Sequence, residues 1–238
     1  MFFVDQTFDS PAMELALDEA LLDLREDEPG EGFLRFWEPR DPCVILGRTN
    51  DAAREVRLDR CRSLGIPVLR RASGGGTVVQ APGCLNFMLV LNSSTGTQHR
   101  TPSGTTAFIL GRHAPLVSAL TGSTVSVMGS SDLAIDGRKF SGNAQRRRLR
   151  AILFHGTFLL DFDFALVEEL LPMPSREPEY RKGRSHADFL VNLRLSPRVL
   201  KDALRACWEA DRDAPGLPLE AAARLAREKY SGRDWTLK

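Results

Sequence analysis

Apolar and polar positions along the chain first predict an amphipathic helix and then a series of short strands. Met13, Leu17 and Leu21 recur at helical spacing after a Ser-Pro pair, which is typical of a helix N-terminus. Phe33–Trp37 instead alternates apolar side chains with Arg35, which is the period of a strand. Short apolar runs bounded by turn residues predict further strands at residues 44–46, 66–69, 87–91, 125–128, 132–135, 139–141, 151–154 and 156–160.

Helical spacing predicts further helices at residues 54–63, 105–120, 165–170, 197–208 and 219–230. Residues 92–103 are polar and contain glycine and proline, which predicts an exposed loop, and residues 176–185 are basic and rich in turn formers. The strands cluster in the middle of the chain and follow one another as hairpins rather than as repeated strand–helix–strand units. This order favours an α+β layer architecture over a doubly wound parallel sheet.

Composition and charge limit the classes of protein to which the chain can belong. Its 238 residues, of which 42% are hydrophobic and 26% charged, suit one large globular domain. A formal net charge of +1 gives no field that would favour nucleic acid or an anionic membrane. The N-terminus lacks a secretory pattern, and no apolar run is long enough to span a bilayer. The four cysteines are widely spaced without a CxxC pair, which argues against a zinc site or disulfide framework and predicts a reducing, cytoplasmic location.

Residues 69–86, the glycine stretch, read LRRASGGGTVVQAPGCLN and place two arginines and three consecutive glycines between two predicted strands. Glycines let the main chain approach a ligand closely, and arginines can pair with phosphate or carboxylate. The stretch contains no P-loop, and Val78-Val79 is too poor a helix start for a dinucleotide fingerprint. A phosphate here would lie in a concave site of main-chain N–H groups. The alternative is a flexible hairpin loop with solvated arginines.

Residues 132–145, DLAIDGRKFSGNAQ, are the second candidate for chemistry. Asp136-Gly137 is a hairpin-turn signal, and Lys139 can reach over a neighbouring strand to stabilise charge on a phosphate or acyl oxygen. An ordinary exposed hairpin lysine is the alternative. The arginine-rich residues 146–150 are either a solvated face or a surface for an acidic partner. His155, inside an apolar strand, is either a satisfied core residue or part of a pocket.

Three stretches with specific sequence patterns occur in a fixed order along the chain. They are RRASGGGTVVQAPGCLNF at residues 70–87, SDLAIDGRKFSGNAQRR at 131–147 and FHGTFLLDFD at 154–163. Supporting stretches are PAMELALDEALL near the start, LRFWEPRDPCVILGRTN at 34–50 and GRSHADFLVNL at 183–193. Together, over most of residues 10–193, they resemble the lipoate–protein ligases within the wider biotin and lipoate ligase and octanoyltransferase superfamily.

The resemblance implies a central mixed, largely antiparallel sheet flanked by helices, as in the class II synthetase and biotin ligase fold. It implies that ATP and lipoate, or octanoate, give an acyl-adenylate and pyrophosphate. The acyl group then passes to a lysine of a lipoyl carrier domain, and AMP is released. The implied carrier is a glycine cleavage H-like protein or a 2-oxoacid dehydrogenase E2-like domain. ATP would bring Mg²⁺, held mostly by its phosphates.

The resemblance also implies roles for individual residues, and it implies no metal site made of protein ligands. Lys139 matches the family's active-site lysine, whose charge would hold the acyl carbonyl and the α-phosphate. The implied substrate- and adenylate-binding residues are Arg71, Ser73, Gly74, Gly75, Gly76, Thr77, Asn86, Asp132, Ser141, Gly142, Ala144, His155 and Thr157. A lipoyl chain needs an apolar slot, which the strands around Val78, Val79 and Phe140 are expected to supply.

One departure from the ligase pattern and two rival functions stay open. The ligase pattern usually has His-Asp where this chain has Gln80-Ala81, which alters the expected pocket entrance. The first rival is a cysteine-dependent octanoyltransferase of the same superfamily, which would take an octanoyl or lipoyl group from acyl carrier protein or another lipoyl protein and uses no ATP. Neither of the two usual places for its cysteine has one here, since residues 125–131 contain none and Ile152 stands at the other, and Cys84 is expected to pack in the core. The second rival is a non-catalytic lipoyl-domain-binding module.

Residues 1–238 are expected to form a single catalytic domain, in which residues 195–238 are a short C-terminal helical extension. Many bacterial ligases carry an accessory domain after the catalytic one, and this extension is too short for a full domain of that kind. The expectation is therefore a bare catalytic domain, or one that works with a separate small accessory protein.

Overall fold

The computed structural model describes residues 1–94 and 96–238. The strands are β1 (Phe2–Asp5), β2 (Phe33–Trp37), β3 (Cys43–Leu46), β4 (Val68–Arg70), β5 (Val78–Gln80), β6 (Cys84–Asn92), β7 (Val125–Met128), β8 (Asp132–Ile135), β9 (Arg138–Arg147), β10 (Ala151–Leu159) and β11 (Arg212–Asp213). The α-helices are α1 (Pro11–Asp27), α2 (Ala52–Glu55), α3 (Leu58–Ser63), α4 (Pro102–Thr121), α5 (Ala165–Leu170), α6 (His186–Phe189), α7 (Pro197–Cys207), α8 (Leu219–Leu225) and α9 (Arg233–Thr236). Single turns of 3₁₀-helix cover Thr97–His99 and Glu179–Arg181, and a π-helical turn covers Ala226–Tyr230.

The main sheet has eight strands in the order β11-β1-β2-β6-β10-β9-β8-β7. β1 pairs in parallel with β11 and β2, whereas the pairs from β2 to β7 are antiparallel. The predicted α+β class with a mixed, largely antiparallel sheet flanked by helices is therefore confirmed. A smaller sheet has the order β4-β3-β5, and the glycine stretch joins its two outer strands. In the part of the chain that the structure describes, no helix is long and apolar enough to cross a membrane.

The main sheet is buried on both faces because its central strands carry apolar side chains at successive positions. On one face, Phe33 and Met88 belong to a core cluster with Leu17 of α1. On the opposite face, Phe87 belongs to a cluster with Ile109 of α4. Successive side chains of each strand thus pack against helices on opposite faces of the sheet. This packing fixes the strands that form the site.

The predicted helix over residues 54–63 is wrong. The structure has two short helices, α2 and α3, and Val56 between them is extended. The break has a tertiary cause, because Val56 is buried in the core and the main-chain N–H of Arg57 donates to the carbonyl of Leu170 at 2.9 Å. Packing against α5 therefore overrides the local preference for one continuous helix.

The central strands are longer than their apolar runs. β10 joins the two predicted segments 151–154 and 156–160 into one strand, and β9 continues to Arg147. The polar and glycine residues of β9 and β10 stay in the sheet because they pair with residues of the neighbouring strand, as Gly142 pairs with Thr157. The sequence pattern did not predict β1 or α6.

The predicted exposed loop over residues 92–103 is partly buried. His99 is only 4% exposed, and its ring contacts Phe108 of α4 edge-on, with ring centroids 5.2 Å apart. Thr95, which also belongs to this predicted loop, lies outside the described residues.

The C-terminal segment, residues 195–238, packs beside the glycine stretch. The segment includes β11, which pairs with β1, so it is not purely helical as predicted. The fully buried Arg70 donates to the main-chain carbonyls of Thr236 at 2.8 Å, Gly47 at 2.9 Å and Asn50 at 2.7 Å. The indole N–H of Trp235 donates in return to the carbonyl of Arg70 at 2.7 Å. These bonds fix the end of β4, from which the glycine stretch continues.

We predict that Arg70→Met lowers the free energy of unfolding by about 3 kcal/mol, because several buried carbonyls lose their donor. Urea unfolding followed by circular dichroism measures the change. Arg40→Met is the control, since Arg40 is exposed and pairs with the exposed Asp9, and we expect no measurable effect. Equal stability of the Arg70→Met protein and the unmodified protein would contradict the structural role of Arg70.

Candidate active site

A cleft of about 180 Å³ opens between the glycine stretch and strands β9 and β10. Most of the predicted site residues line it, namely Arg71, Gly75, Gly76, Thr77, Asn86, Asp132, Lys139, Gly142, Ala144, His155 and Thr157. The predicted residues that do not line it are Ser73, Gly74 and Ser141. Ser73 and Ser141 are buried, and the carbonyl of Gly74 accepts from Arg71.

The cleft has an apolar wall, which consists of Leu15, Trp37, Ile45, Val78 and Phe87. Of the residues predicted for an apolar slot, Val78 lines the cleft, whereas Val79 and Phe140 do not, because they are buried in separate core clusters. Successive residues of a strand point to opposite sides, so Val78 and Val79 cannot both face the cleft. The cleft residues from α1 and β2 were not predicted, because their apolar periodicity indicated core packing alone.

Arg71 shapes the glycine loop, residues 71–77, from within. Its guanidinium donates to the carbonyls of Gly74 at 2.6 Å and Gly76 at 2.7 Å, and its Nε donates to the Ser73 hydroxyl at 3.1 Å. Gly75 between them has a φ of +85°, a conformation that favours glycine. Burial lowers the pKa of Arg71 to about 10, so its charge persists at neutral pH.

Most arginines of the basic run at residues 146–150 are bonded to other groups of the protein. Arg146 donates to the carbonyl of Ala72 at 3.0 Å and so anchors the glycine loop from β9. Arg147 donates to the Thr105 hydroxyl, and Arg148 pairs with Asp23 at 2.7 Å. Most of the run is therefore structural rather than a free basic surface.

Lys139 lies on β9, directly after a tight hairpin. Asp136 and Gly137 have φ values of 51° and 68°, as the predicted two-residue turn requires. The Lys139 ammonium reaches the cleft and contacts Asp132 Oδ1 at 2.8 Å, and its side chain is 26% exposed. Lys139 is thus a partly exposed cation with one carboxylate partner among the described residues.

The second oxygen of Asp132 accepts from the Tyr180 hydroxyl at 2.9 Å. Burial, together with the Asp132 charge, raises the pKa of Tyr180 well above its ordinary value, so the hydroxyl stays a neutral donor. Tyr180 belongs to the turn-rich segment that was predicted without any contact to the site. The structure thus adds Tyr180 to the groups that hold Asp132.

Gln80, at the departure from the ligase pattern, closes a ring of three side-chain hydrogen bonds beside the apolar wall. Gln80 donates to Thr157 at 2.7 Å, Thr157 donates to Asn86 at 2.5 Å, and Asn86 donates to Gln80 at 2.9 Å. Gln80 lines the cleft, whereas Ala81 is buried in a core cluster. The departure therefore places a neutral amide, bonded to Thr157 and Asn86, in the cleft.

His155 faces the cleft and contacts the glycine loop and α1. Its Nε2 lies 2.6 Å from the Ser73 hydroxyl, and its Nδ1 lies 3.4 Å from Asp18 Oδ2. Asp18 was not predicted as a site residue, since it lies in a helix whose sequence signal was amphipathic periodicity. It also borders the cleft.

The cysteines are buried away from the cleft, apart from Cys207, which is partly exposed. Burial raises the pKa of Cys84 and of Cys43 to about 12. The thiolate is the nucleophilic form of cysteine. Cys84 is therefore placed as an inert core residue, as the sequence predicted.

We predict that a disulfide reagent such as DTNB at pH 8 modifies Cys207 rapidly in the folded protein and the other cysteines only after unfolding. Replacement of Cys207 by serine should abolish the fast phase, because the buried thiols are neither accessible nor ionised. Fast modification of Cys84 in the Cys207→Ser protein would contradict its placement in the core.

Comparisons with known proteins agree with this geometry. The family model for the lipoyl protein ligase A/B catalytic domain matches residues 10–199. The lipoate-protein ligase LplJ of Bacillus subtilis is 31% identical over 251 residues, which cover 99% of this chain and 73% of LplJ. The octanoyltransferase LipM of Brevibacillus brevis is 27% identical over 271 residues, which cover 96% of this chain and 95% of LipM.

The fold also matches a solved structure from Thermoplasma acidophilum, described as a bi-partite lipoate protein ligase and its E2 lipoyl domain. The TM-score is 0.82 at 24% identity, and the match covers 99% of this chain and 95% of that chain. This likeness supports a shared fold, and the family model together with LplJ supports a shared ancestry. The chain therefore belongs to the lipoyl protein ligase A/B catalytic domain family, a family of enzymes that includes lipoate ligases and octanoyltransferases.

Proposed function

We propose that this enzyme is an ATP-dependent lipoate–protein ligase. In the first step the carboxylate of lipoate, or of octanoate, attacks the α-phosphate of ATP, and pyrophosphate leaves. In the second step the lysine amine of a lipoyl carrier domain attacks the acyl carbonyl, an amide forms and AMP leaves. The observation that carries the proposal is Lys139, which reaches a cleft whose described lining contains no cysteine.

The ammonium of Lys139 would stabilise negative charge in both steps. Charge develops on phosphate oxygens during adenylation and on the acyl oxygen during transfer, and a fixed cation lowers both barriers. Lys139 can leave Asp132 and pair with such an oxygen, because Asp132 still accepts a hydrogen bond from the Tyr180 hydroxyl. The ion pair thus holds the cation in place before the substrate binds.

The glycine loop and the apolar wall would surround the acyl-adenylate. Gly75 and Gly76 are exposed at the cleft and bring no side chain between the main chain and a ligand. Arg71 beneath them supplies a buried positive charge near a bound phosphate. Trp37 and Phe87 provide apolar surface for the acyl chain and exclude water, which would hydrolyse the activated intermediate.

Mg²⁺ would arrive with ATP, and the donors in the cleft fit a metal held mainly by phosphates and water. Asp18 and Asp132 are the carboxylates that line the cleft in the described part of the chain. Asp18 is engaged by the buried Arg35 at 2.5 Å, whereas Asp132 Oδ1 is released when Lys139 pairs with a substrate oxygen. Asp132 is therefore the residue expected to contact the metal or its waters. Few protein ligands are typical of Mg²⁺ bound with a nucleotide.

The proposed partner is a lipoyl carrier domain, either a glycine cleavage H-like protein or a 2-oxoacid dehydrogenase E2-like domain. The bi-partite ligase of Thermoplasma, described together with its E2 lipoyl domain, supports this choice by analogy of fold. We propose that the chain acts as a single, cytoplasmic catalytic domain, alone or with a separate small accessory protein. Activity of the purified chain alone would exclude the need for the accessory protein.

An ATP-independent octanoyltransferase is the second candidate function. Similarity to LipM over nearly the whole length of both chains supports it. The burial of Cys84 and the absence of a thiol from the described lining of the cleft speak against it, because covalent acyl transfer of that kind needs an accessible, activated thiol. ATP–pyrophosphate exchange that requires lipoate separates the ligase from the transferase and also from a non-catalytic binding module.

We predict that the unmodified enzyme catalyses lipoate-dependent ATP–pyrophosphate exchange and that Lys139→Ala lowers its rate by at least about 10³-fold. The variant should keep the unfolding midpoint of the parent within a few degrees, since Lys139 is partly exposed. Lys201→Ala is the control, because Lys201 pairs with Asp5 and Glu38 at 2.8 and 2.7 Å outside the cleft.

Near-normal exchange by Lys139→Ala would refute the proposed role of this lysine. Absence of exchange in the unmodified enzyme would contradict the ligase, and carrier binding without any acyl transfer from acyl carrier protein would then favour the binding module.

A further inference from the structure

We propose that Asp18 is a positioning residue for the glycine loop: it orients His155 so that the imidazole accepts the hydroxyl proton of Ser73. The effect on activity rests on the proposed ligase function, whereas the hydrogen-bond arrangement itself does not. Asp18 lies on α1, far in sequence from His155 on β10 and Ser73 in the glycine loop. The tertiary fold brings the three together at the inner side of the cleft.

The direction of each hydrogen bond follows from what the groups can donate. An ionised carboxylate is an acceptor only, so the Nδ1 of His155 must carry the proton that faces Asp18 Oδ2 at 3.4 Å. In a neutral imidazole Nε2 is then unprotonated and accepts from the Ser73 hydroxyl, 2.6 Å away. The Ser73 oxygen is left as an acceptor for Arg71 Nε at 3.1 Å. Every donor in this series of hydrogen bonds thus has an acceptor.

Asp18 is held in turn by a buried ion pair. Arg35 is fully buried in β2 and donates to Asp18 Oδ1 at 2.5 Å, and it also pairs with Glu14, one helical turn earlier in α1. The sheet register explains the placement, since Arg35 and His155 both lie opposite Met88 of β6. Arg35 and His155 therefore lie in one row across the sheet, beneath α1.

The hydrogen bond between Ser73 and His155 helps to fix the main chain of the glycine loop. Ser73 is 2% exposed, and its carbonyl also accepts from the main-chain N–H of Arg48 at 2.9 Å. The Ser73 hydroxyl and Arg71 together fix the main chain that continues into Gly74–Gly76. If His155 carried its proton on Nε2, both His155 and Arg71 would donate to Ser73, and the serine proton would lose its acceptor. Asp18 prevents this state by binding the proton on Nδ1.

The first test is the tautomer of His155, read from ¹⁵N shifts and long-range ¹H–¹⁵N couplings of histidine-labelled protein. The chain has four histidines, and His155→Gln assigns the signal. We expect protonation at Nδ1 in the unmodified protein and a shift toward protonation at Nε2 in Asp18→Asn, since a carboxamide can donate to Nδ1. Asp18→Asn keeps Glu14 as a partner for Arg35, so the fold is retained. Protonation at Nε2 in the unmodified protein, or no change in Asp18→Asn, would overturn the proposal.

The second test uses lipoate-dependent ATP–pyrophosphate exchange with Asp18→Asn, Ser73→Ala and the double variant. We expect each single variant to raise KM for lipoate about tenfold with a smaller change in kcat, and the double variant to match the singles, because both remove the same constraint. Asp23→Asn is the matched control on α1, since Asp23 pairs with Arg148 at the surface, and it should change neither the tautomer nor KM.

Multiplicative effects in the double variant would overturn the coupling through His155. If the unmodified enzyme shows no exchange, the ligase function fails, and the tautomer measurement still decides the role of Asp18.

Discussion

The candidate site depends on three arginines, two of them buried, that donate to main-chain carbonyls of the glycine loop and its neighbours. The loop has few side chains with which to fix its own shape, because three of its residues are glycine. Arg70, at the end of β4, donates to carbonyls just after β3 and in the C-terminal segment, Arg71 donates to carbonyls within the loop, and Arg146 donates to Ala72 from β9. A guanidinium has several donors in a rigid plane, so one residue can fix several carbonyls at once. The loop is therefore shaped by its surroundings.

The same arrangement has an electrostatic consequence. Arg71, which lines the cleft, donates to neutral groups rather than to a carboxylate, so its charge stays available to a ligand. Lys139 is a second cation of the lining and is paired with Asp132, whereas Asp18 is paired with Arg35. These cations suit an anionic ligand, and the apolar wall suits an acyl chain. The proposed acyl-adenylate combines both properties, which is why the ligase interpretation accounts for more of the cleft than a simple binding module does.

The sequence predicted those features that depend on local pattern or on residues with unusual chemistry. Phe33–Trp37 and Ala165–Leu170 were placed at their observed bounds, because alternation or flanking proline sets them. Lys139 and most of the glycine stretch were singled out by the tight turn and the glycines, and their roles were predicted from the resemblance to the lipoate–protein ligases. The break at Val56 could not be predicted, since a contact with α5 causes it.

Asp18 was missed for a related reason, because its importance comes from contacts with residues that are distant in the sequence. In a helical pattern, an acidic residue between apolar ones indicates a solvated position. Here the sheet register places Arg35 and His155 beneath it, and the position is buried. Gln80 is a similar case. The sequence showed that this position departs from the family pattern, but it did not show the ring of hydrogen bonds that Gln80 forms with Asn86 and Thr157.

Mass spectrometry of an apo lipoyl carrier domain distinguishes an ATP-dependent ligase from an octanoyltransferase. The carrier is incubated with the purified chain and lipoate, with and without ATP and Mg²⁺, and in parallel with an octanoyl-loaded acyl carrier protein in place of free acid. The ligase account predicts a lipoylated lysine that appears with lipoate only when ATP is present. Octanoylation from the acyl carrier protein without ATP, and no product from lipoate with ATP, would contradict it.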